Sequence, residues 1–173
     1  MVRTVFTMGV YDCFHFGHLK ILERAKKLGD VLIVGVVEDY AVTEQKGAGR
    51  PVIPFEQRVA IINGLRCVDY VFRLTRFNPL PAFIANPEIN VYVKGEDQDH
   101  IDLTEVIKRY SPVVVMLERT KDISTTKIVK KLEESRNIVG GYQPTTPVST
   151  LPPPSSSGVS EKVNKVIVDI GGL

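Results

Sequence analysis

The chain has 173 residues, 43% of them apolar and 24% charged, with a net charge of +2 when histidine is neutral. That is enough chain for one domain with its own core, and the lysines and arginines are interspersed with acids, which excludes a nucleic-acid surface built on a basic patch. No apolar run approaches the ~20 residues needed to cross a bilayer, no signal peptide is visible ahead of the first strand, and Cys13 and Cys67 make no disulfide framework, so a cytoplasmic location without membrane insertion is expected.

The first apolar run, Arg3 to Met8, predicts a strand. Leu19, Leu22, Ala25 and Leu28 recur at helical spacing, with Lys26 and Lys27 in the last turn and Gly29 as the stop. Val31 to Val37 is continuously apolar, which marks a central parallel strand covered on both faces. Glu38 to Val52 is polar and glycine-containing and predicts a long loop. Pro54 and Glu56 open a helix that runs through Arg66, and Val68 to Leu74 is the third strand. A short helix at Leu80 to Ala85 lies between prolines, followed by a strand at Asn90 to Lys94 and a helix at Leu103 to Tyr110. Val113 to Leu117 is the fifth strand, and Ser124 to Ser135 is the last helix, capped by Ser124 or Thr125.

Strands alternating with helices give a Rossmann-like, doubly wound α/β domain on a parallel five-stranded sheet, spanning residues 1–138. Residues 139–160 read as a Pro/Ser-rich linker. Residues 161–173 read as a short strand-like tail, either an added edge strand or the start of a further domain. Ligands of such sheets bind beyond the C-terminal ends of the strands. Four polar segments fall on that edge: His15-Phe16-Gly17-His18, Lys46, Lys94 to Asp97, and Glu118 to Thr126.

The His15-Phe16-Gly17-His18 segment sits between the first strand and the first helix. A glycine there lets backbone approach an anion, and the helix mouth offers unpaired N–H groups. The imidazoles add two more donors from the same side. Ser124, Thr125 and Thr126, behind Arg119, offer the same chemistry at the last helix. Donors and cations converging on one point suit phosphoryl or nucleotidyl transfer, which needs alignment and charge stabilisation more than covalent help. No His/Cys cluster has metal-ligand spacing, so no protein-held metal is expected.

These residues also carry a resemblance. His-x-Gly-His after a first strand resembles the HxGH nucleotidylyltransferase superfamily, and Arg119-Thr120-Lys121-Asp122-Ile123-Ser124-Thr125-Thr126 resembles the Arg-Thr-x-x-Ile-Ser-Thr-Thr motif of its cytidylyltransferase branch. Arg50 to Arg58 resembles a segment of the heptose-phosphate adenylyltransferases and, less closely, of the cytidylyltransferases, and Val93 to Asp97 resembles the heptose-enzyme pattern. The resemblance covers roughly residues 3 to 135 and implies a strand order of 3-2-1-4-5. It implies catalytic roles for His15, His18, Lys46 and Arg119. It implies nucleotide contacts from Gly9, Val10, Tyr11, Gly17, Lys94, Gly95, Asp97, Thr120, Ile123, Ser124, Thr125 and Thr126. Acceptor contacts are expected from Asp12, Asp39 and Arg58.

The implied reaction transfers CMP from CTP to a small phosphomonoester such as glycerol 3-phosphate, releasing pyrophosphate. Magnesium would arrive with the triphosphate. An adenylyltransferase acting on a sugar phosphate or FMN is the alternative, and a catalytically inactive nucleotide-binding module is the reading from another class. A homodimer is also implied. Val59, Ile61, Ile62, Leu65, Val68, Val71 and Phe72, with the exposed-loop pair Arg76 and Phe77, offer it a candidate surface, although the helix set is better suited to this chain's own core, so the dimer rests mainly on the resemblance.

Overall fold

A strand buried on both faces favours apolar side chains, and Val31–Val37 is apolar along its whole length. In the computed structural model, which describes residues 1–98, 101–121, 123–138 and 167–168, β1 (Thr4–Gly9) lies between β2 (Val31–Val37) and β4 (Ile89–Gly95). β3 (Tyr70–Leu74) pairs with β2, and β5 (Val113–Leu117) pairs with β4. Every pairing is parallel, and the order β5-β4-β1-β2-β3 is the expected one. A two-residue strand, β6 (Ile167–Val168), continues the sheet beside β3, with Val71 opposite Ile167. The linker at 139–160 and the rest of the 161–173 tail lie outside the described residues.

Side chains alternate across the sheet, so each strand feeds two cores. Val5, Val34, Val36, Val71 and Val91 point one way and meet Leu22 and Ala25 of α1 (Phe16–Lys26) and Val59 and Ile62 of α3 (Phe55–Asn63). Phe6, Met8, Val37, Phe72 and Tyr92 point the other way and meet Phe83 of α4 (Leu80–Ala85) and Val106 of α5 (Thr104–Tyr110). Helices on both faces make the sheet doubly wound.

The segment after β2 departs from the expected loop: Asp39–Lys46 is a helix, α2. Ala41 and Val42 turn into the second core, which repays the ordering of a segment without strong helix signals. Gly47, at φ 89, ends it. Gly64 closes α3 short of the expected Arg66. α6 (Thr125–Ile138) follows Ser124, whose hydroxyl accepts the Lys127 N–H at 3.2 Å as an N-cap. Most of the set weighed as a dimer surface faces inward, as the core reading expects. Val59, Ile62, Val68, Val71 and Phe72 are buried in this chain's own cores, Leu65 packs against one of them, and Ile61 is exposed.

Candidate functional site

The turn after β1 is wound around one carboxylate. Tyr11 (φ 55) and Cys13 (φ 45) both take the left-handed conformation that L side chains avoid. Between them Asp12, 2% exposed, accepts the N–H groups of Cys13 (3.0 Å), Val52 (3.0 Å) and Ile53 (2.9 Å). Its Oδ2 lies 3.1 Å from Nη2 of Arg50. Those partners hold the strained turn and staple it to the segment entering α3.

His15 and His18 then cap α1 for each other. Nδ1 of His15 accepts the Gly17 N–H at 3.1 Å, and Nδ1 of His18 accepts the His15 N–H at 3.4 Å. A ring nitrogen that accepts carries no proton, so both imidazoles keep theirs on Nε2. The rings stack at 3.9 Å, and Tyr11 and Phe14 enclose His18 at 5.5 and 5.6 Å. Burial, then the neighbouring His15 and Lys46, push the His18 pKa down to about 3. Burial and the Arg119 guanidinium lower that of His15. Both are therefore neutral Nε2–H donors at neutral pH. Gly17 is required by approach: a Cβ there would stand 2.9 Å from Cε1 of His15 and 3.1 Å from Cγ2 of Ile123.

Two ties bring the end of β5 to this turn. Nη1 of Arg24 donates to the Glu118 carbonyl at 2.8 Å, and Oγ1 of Thr125 donates to the Asp12 carbonyl at 2.8 Å. The N-terminus of α6 therefore opens on the same space as that of α1. The result is a cleft of about 600 Å³.

Most expected residues line this cleft: His15, His18, Lys46 and Arg119; Gly9, Val10, Tyr11 and Gly17; Gly95, Thr120, Ile123, Thr125 and Thr126; and Asp12. Gly9 does so differently from expectation. The Tyr11 ring lies over it, and a Cβ at Gly9 would meet that ring at 3.0 Å. Ser124 caps α6 and lines an adjoining recess with Glu96 and Lys127. Lys94 is buried within β4, and Asp97 lies in the 3-10 turn Glu96–Gln98.

The acceptor assignments need correction. Arg58 is 0% exposed, with every nitrogen of its guanidinium engaged. Nε donates to the Ile53 carbonyl (2.9 Å), Nη1 to the Val10 carbonyl, and Nη2 to the Val37 carbonyl (2.8 Å) and Asp39 Oδ1 (2.6 Å). It is an internal brace joining β1, β2 and α3, fully buried and absent from the cleft lining. Asp39 is its partner and also accepts the Phe55 N–H at 3.1 Å. Asp12 borders the cleft, but its oxygens are committed to backbone and Arg50.

Gln45, Arg50, Phe77 and Gln98 line the cleft without having been expected there. Gln98 donates to the Met8 carbonyl at 2.6 Å and accepts the Gly95 N–H at 3.4 Å, which fixes the turn after β4. Gln45 precedes Lys46 on α2, so recognising that helix would have pointed to it. Among the described residues no group of three His, Cys, Asp or Glu side chains is placed to hold a metal ion, and no helix is long and apolar enough to cross a membrane.

Known proteins share the family and the fold. Residues 6–131 match the family described as cytidylyltransferase-like. The chain is 38% identical over 134 residues to the bifunctional protein HldE of Alcanivorax borkumensis, a match covering 76% of this chain and 28% of that one. It is 36% identical over 134 residues to the HldE of Helicobacter hepaticus, covering 78% and 27%. The chain thus spans little more than a quarter of these relatives. A lipopolysaccharide core biosynthesis protein from Thermoplasma volcanium superposes with a TM-score of 0.58 at 26% identity, over 71% of this chain and all of that one. The chain belongs to the cytidylyltransferase-like family.

Proposed function

We propose that this cleft transfers an adenylyl group from ATP to a sugar phosphate and releases pyrophosphate. One observation carries the reaction type: two neutral Nε2–H donors, Lys46 and Arg119 face one cleft at the mouths of α1 and α6. A phosphate oxygen of the acceptor attacks the α-phosphorus in line. The bond from that phosphorus to the bridging oxygen breaks, and pyrophosphate leaves with the electron pair. A phosphomonoester dianion needs no general base, which suits imidazoles that stay neutral and only donate. Their donors, with Lys46 and Arg119, hold the charge that spreads over the transferred group. In this reading magnesium arrives as the triphosphate complex, held by its oxygens and water.

ATP is favoured over CTP by the middle of the chain. Arg50 to Arg58 and Val93 to Asp97 resemble heptose-phosphate adenylyltransferases, and the HldE proteins are among its relatives. The second reading, CTP with glycerol 3-phosphate, rests on Arg119-Thr120 and Ile123 to Thr126. A homodimer is part of the proposal, carried by family resemblance. Pyrophosphate release from four nucleoside triphosphates against a panel of phosphomonoesters tests the reaction and its donor. We expect release with ATP and a heptose 1-phosphate. Release with CTP alone would replace the donor, and none with any pair would make the cleft a binding module.

A further inference from the structure

Two cations flank the turn Gly47-Ala48-Gly49. Lys46 closes α2 before it and Arg50 follows it, and both line the cleft. Gly47 and Gly49 hold φ values of 89 and 82, and nothing lies within 4 Å of where a Cβ would stand on either. The turn is thus held off the body of the domain, with a cation at each foot.

Arg50 is the opposite of Arg58. The Arg58 guanidinium is spent on four internal acceptors. Arg50 has one side-chain partner among the described residues, the Asp12 carboxylate at 3.1 Å, and its Nε is buried without a hydrogen-bond partner. A guanidinium offers five N–H donors in a planar fork suited to phosphate. Here one edge is anchored on a buried carboxylate while the side chain keeps 21% of its surface open.

The cleft is also divided by origin. His15 and His18 follow β1, and Arg119 and Thr125 follow β5. Lys46 and Arg50 follow β2, and Phe77 follows β3, on the other side of β1 in the sheet. In-line displacement puts the attacking and leaving oxygens on opposite sides of the phosphorus. With the triphosphate at the mouths of α1 and α6, the acceptor enters from the β2–β3 side. We propose that Arg50, positioned by Asp12, grips the phosphate of the acceptor, whose class is therefore a dianionic phosphomonoester; this rests on the nucleotidyl-transfer reading above.

Calorimetry separates the two substrates. The full chain and its Arg50→Met variant are titrated with ATP. After saturation with a non-hydrolysable ATP analogue, they are titrated with a heptose 1-phosphate and with glycerol 3-phosphate. We expect ATP affinity within twofold of wild type and phosphomonoester affinity about 10- to 100-fold weaker, the worth of a forked, charge-assisted contact. Unchanged phosphomonoester affinity overturns the assignment, as does a loss confined to ATP. Wild type that binds ATP but neither phosphomonoester overturns it too, whereas wild type that binds none of the three sinks the underlying reading instead. Should Arg50→Met not fold, Arg50→Lys keeps a cation on Asp12 and loses the fork. Its phosphomonoester affinity should fall at least threefold by the same logic, and no change there overturns the assignment.

Discussion

His18 offers a sharp test, because the same packing that makes it a donor makes it acid-sensitive. Its pKa is near 3 in the folded chain and 6.5 when unperturbed, since Tyr11, Phe14 and His15 enclose it and Lys46 and Arg119 repel a further charge. Below pH 6.5 the unfolded chain takes up a proton that the folded chain refuses. Stability therefore falls with falling pH, at up to ~1.36 kcal/mol per pH unit, until the folded imidazole also titrates. At pH 4.5 this one residue should cost roughly 2.7 kcal/mol relative to neutral pH.

The perturbation is His18→Asn, which keeps an acceptor near the position of Nδ1 and removes the titration. Urea unfolding of both proteins between pH 4.5 and 7.5 gives the two slopes. At pH 7.5 wild type should be equal or better; at pH 4.5 the variant should gain on it by about 2 kcal/mol or more. Parallel pH profiles would refute the buried, neutral assignment of His18. The same reasoning expects no loss of turnover below pH 6.5 from these imidazoles, so the fall seen there should follow protonation of the acceptor dianion, whose second pKa is about 6.

Arg58→Met should cost about 3–5 kcal/mol, because three carbonyls and Asp39 lose their partner in a buried site, read as a drop of roughly 10 °C or more in Tm. Undiminished stability with a raised acceptor KM would restore Arg58 as a substrate ligand. A chain ending at Ile138 should bind ATP as tightly as the full chain, with only the small loss of the β3–β6 pairing; weakened ATP binding would tie the tail to the site. Sedimentation equilibrium at micromolar concentration should show twice the 19.3 kDa chain mass, and a single species of 19.3 kDa refutes the dimer. His15→Ala and His18→Ala should each lower turnover ~10²–10³-fold, and folded variants with near-normal rates would refute the site.

The elements that write themselves twice were the legible ones. β2 is apolar along its whole length, and Leu22 and Ala25 repeat at helical spacing, so pattern and burial coincide. The site edge followed from topology, since side chains at strand ends need only strand positions to be placed. α2 escaped because its anchorage is tertiary. Only Ala41 and Val42 are buried, Glu38 gives no side-chain cap, and its order comes from the core below and from Thr43, whose hydroxyl contacts the Asp39 and Arg50 carbonyls. Arg58 left a trace that charge obscured. It lies three residues after Phe55 and four before Ile62, on the buried stripe of α3 with Val59. An arginine on an apolar stripe is more economically a brace than a ligand, whereas Arg50, in an irregular segment with no stripe to hold it, is the one left open to the cleft.

The histidine pair could be located in sequence but not understood there. Its spacing suggests two donors at a helix mouth, whereas in the structure they are two caps that become donors because they are caps. Each Nδ1 is occupied by a backbone N–H, and this occupation fixes the tautomer that leaves Nε2–H available. Structural and chemical roles reside on opposite nitrogens of the same ring, so they separate under substitution. Asparagine is a good N-cap and can replace the Nδ1 acceptor, while the donor at Nε2 is gone. At position 15, asparagine should therefore keep the helix start and lose turnover, whereas alanine should lose both, with about 1 kcal/mol of stability going with the cap. If the two substitutions proved equally destabilising, the caps would not be what orients these imidazoles.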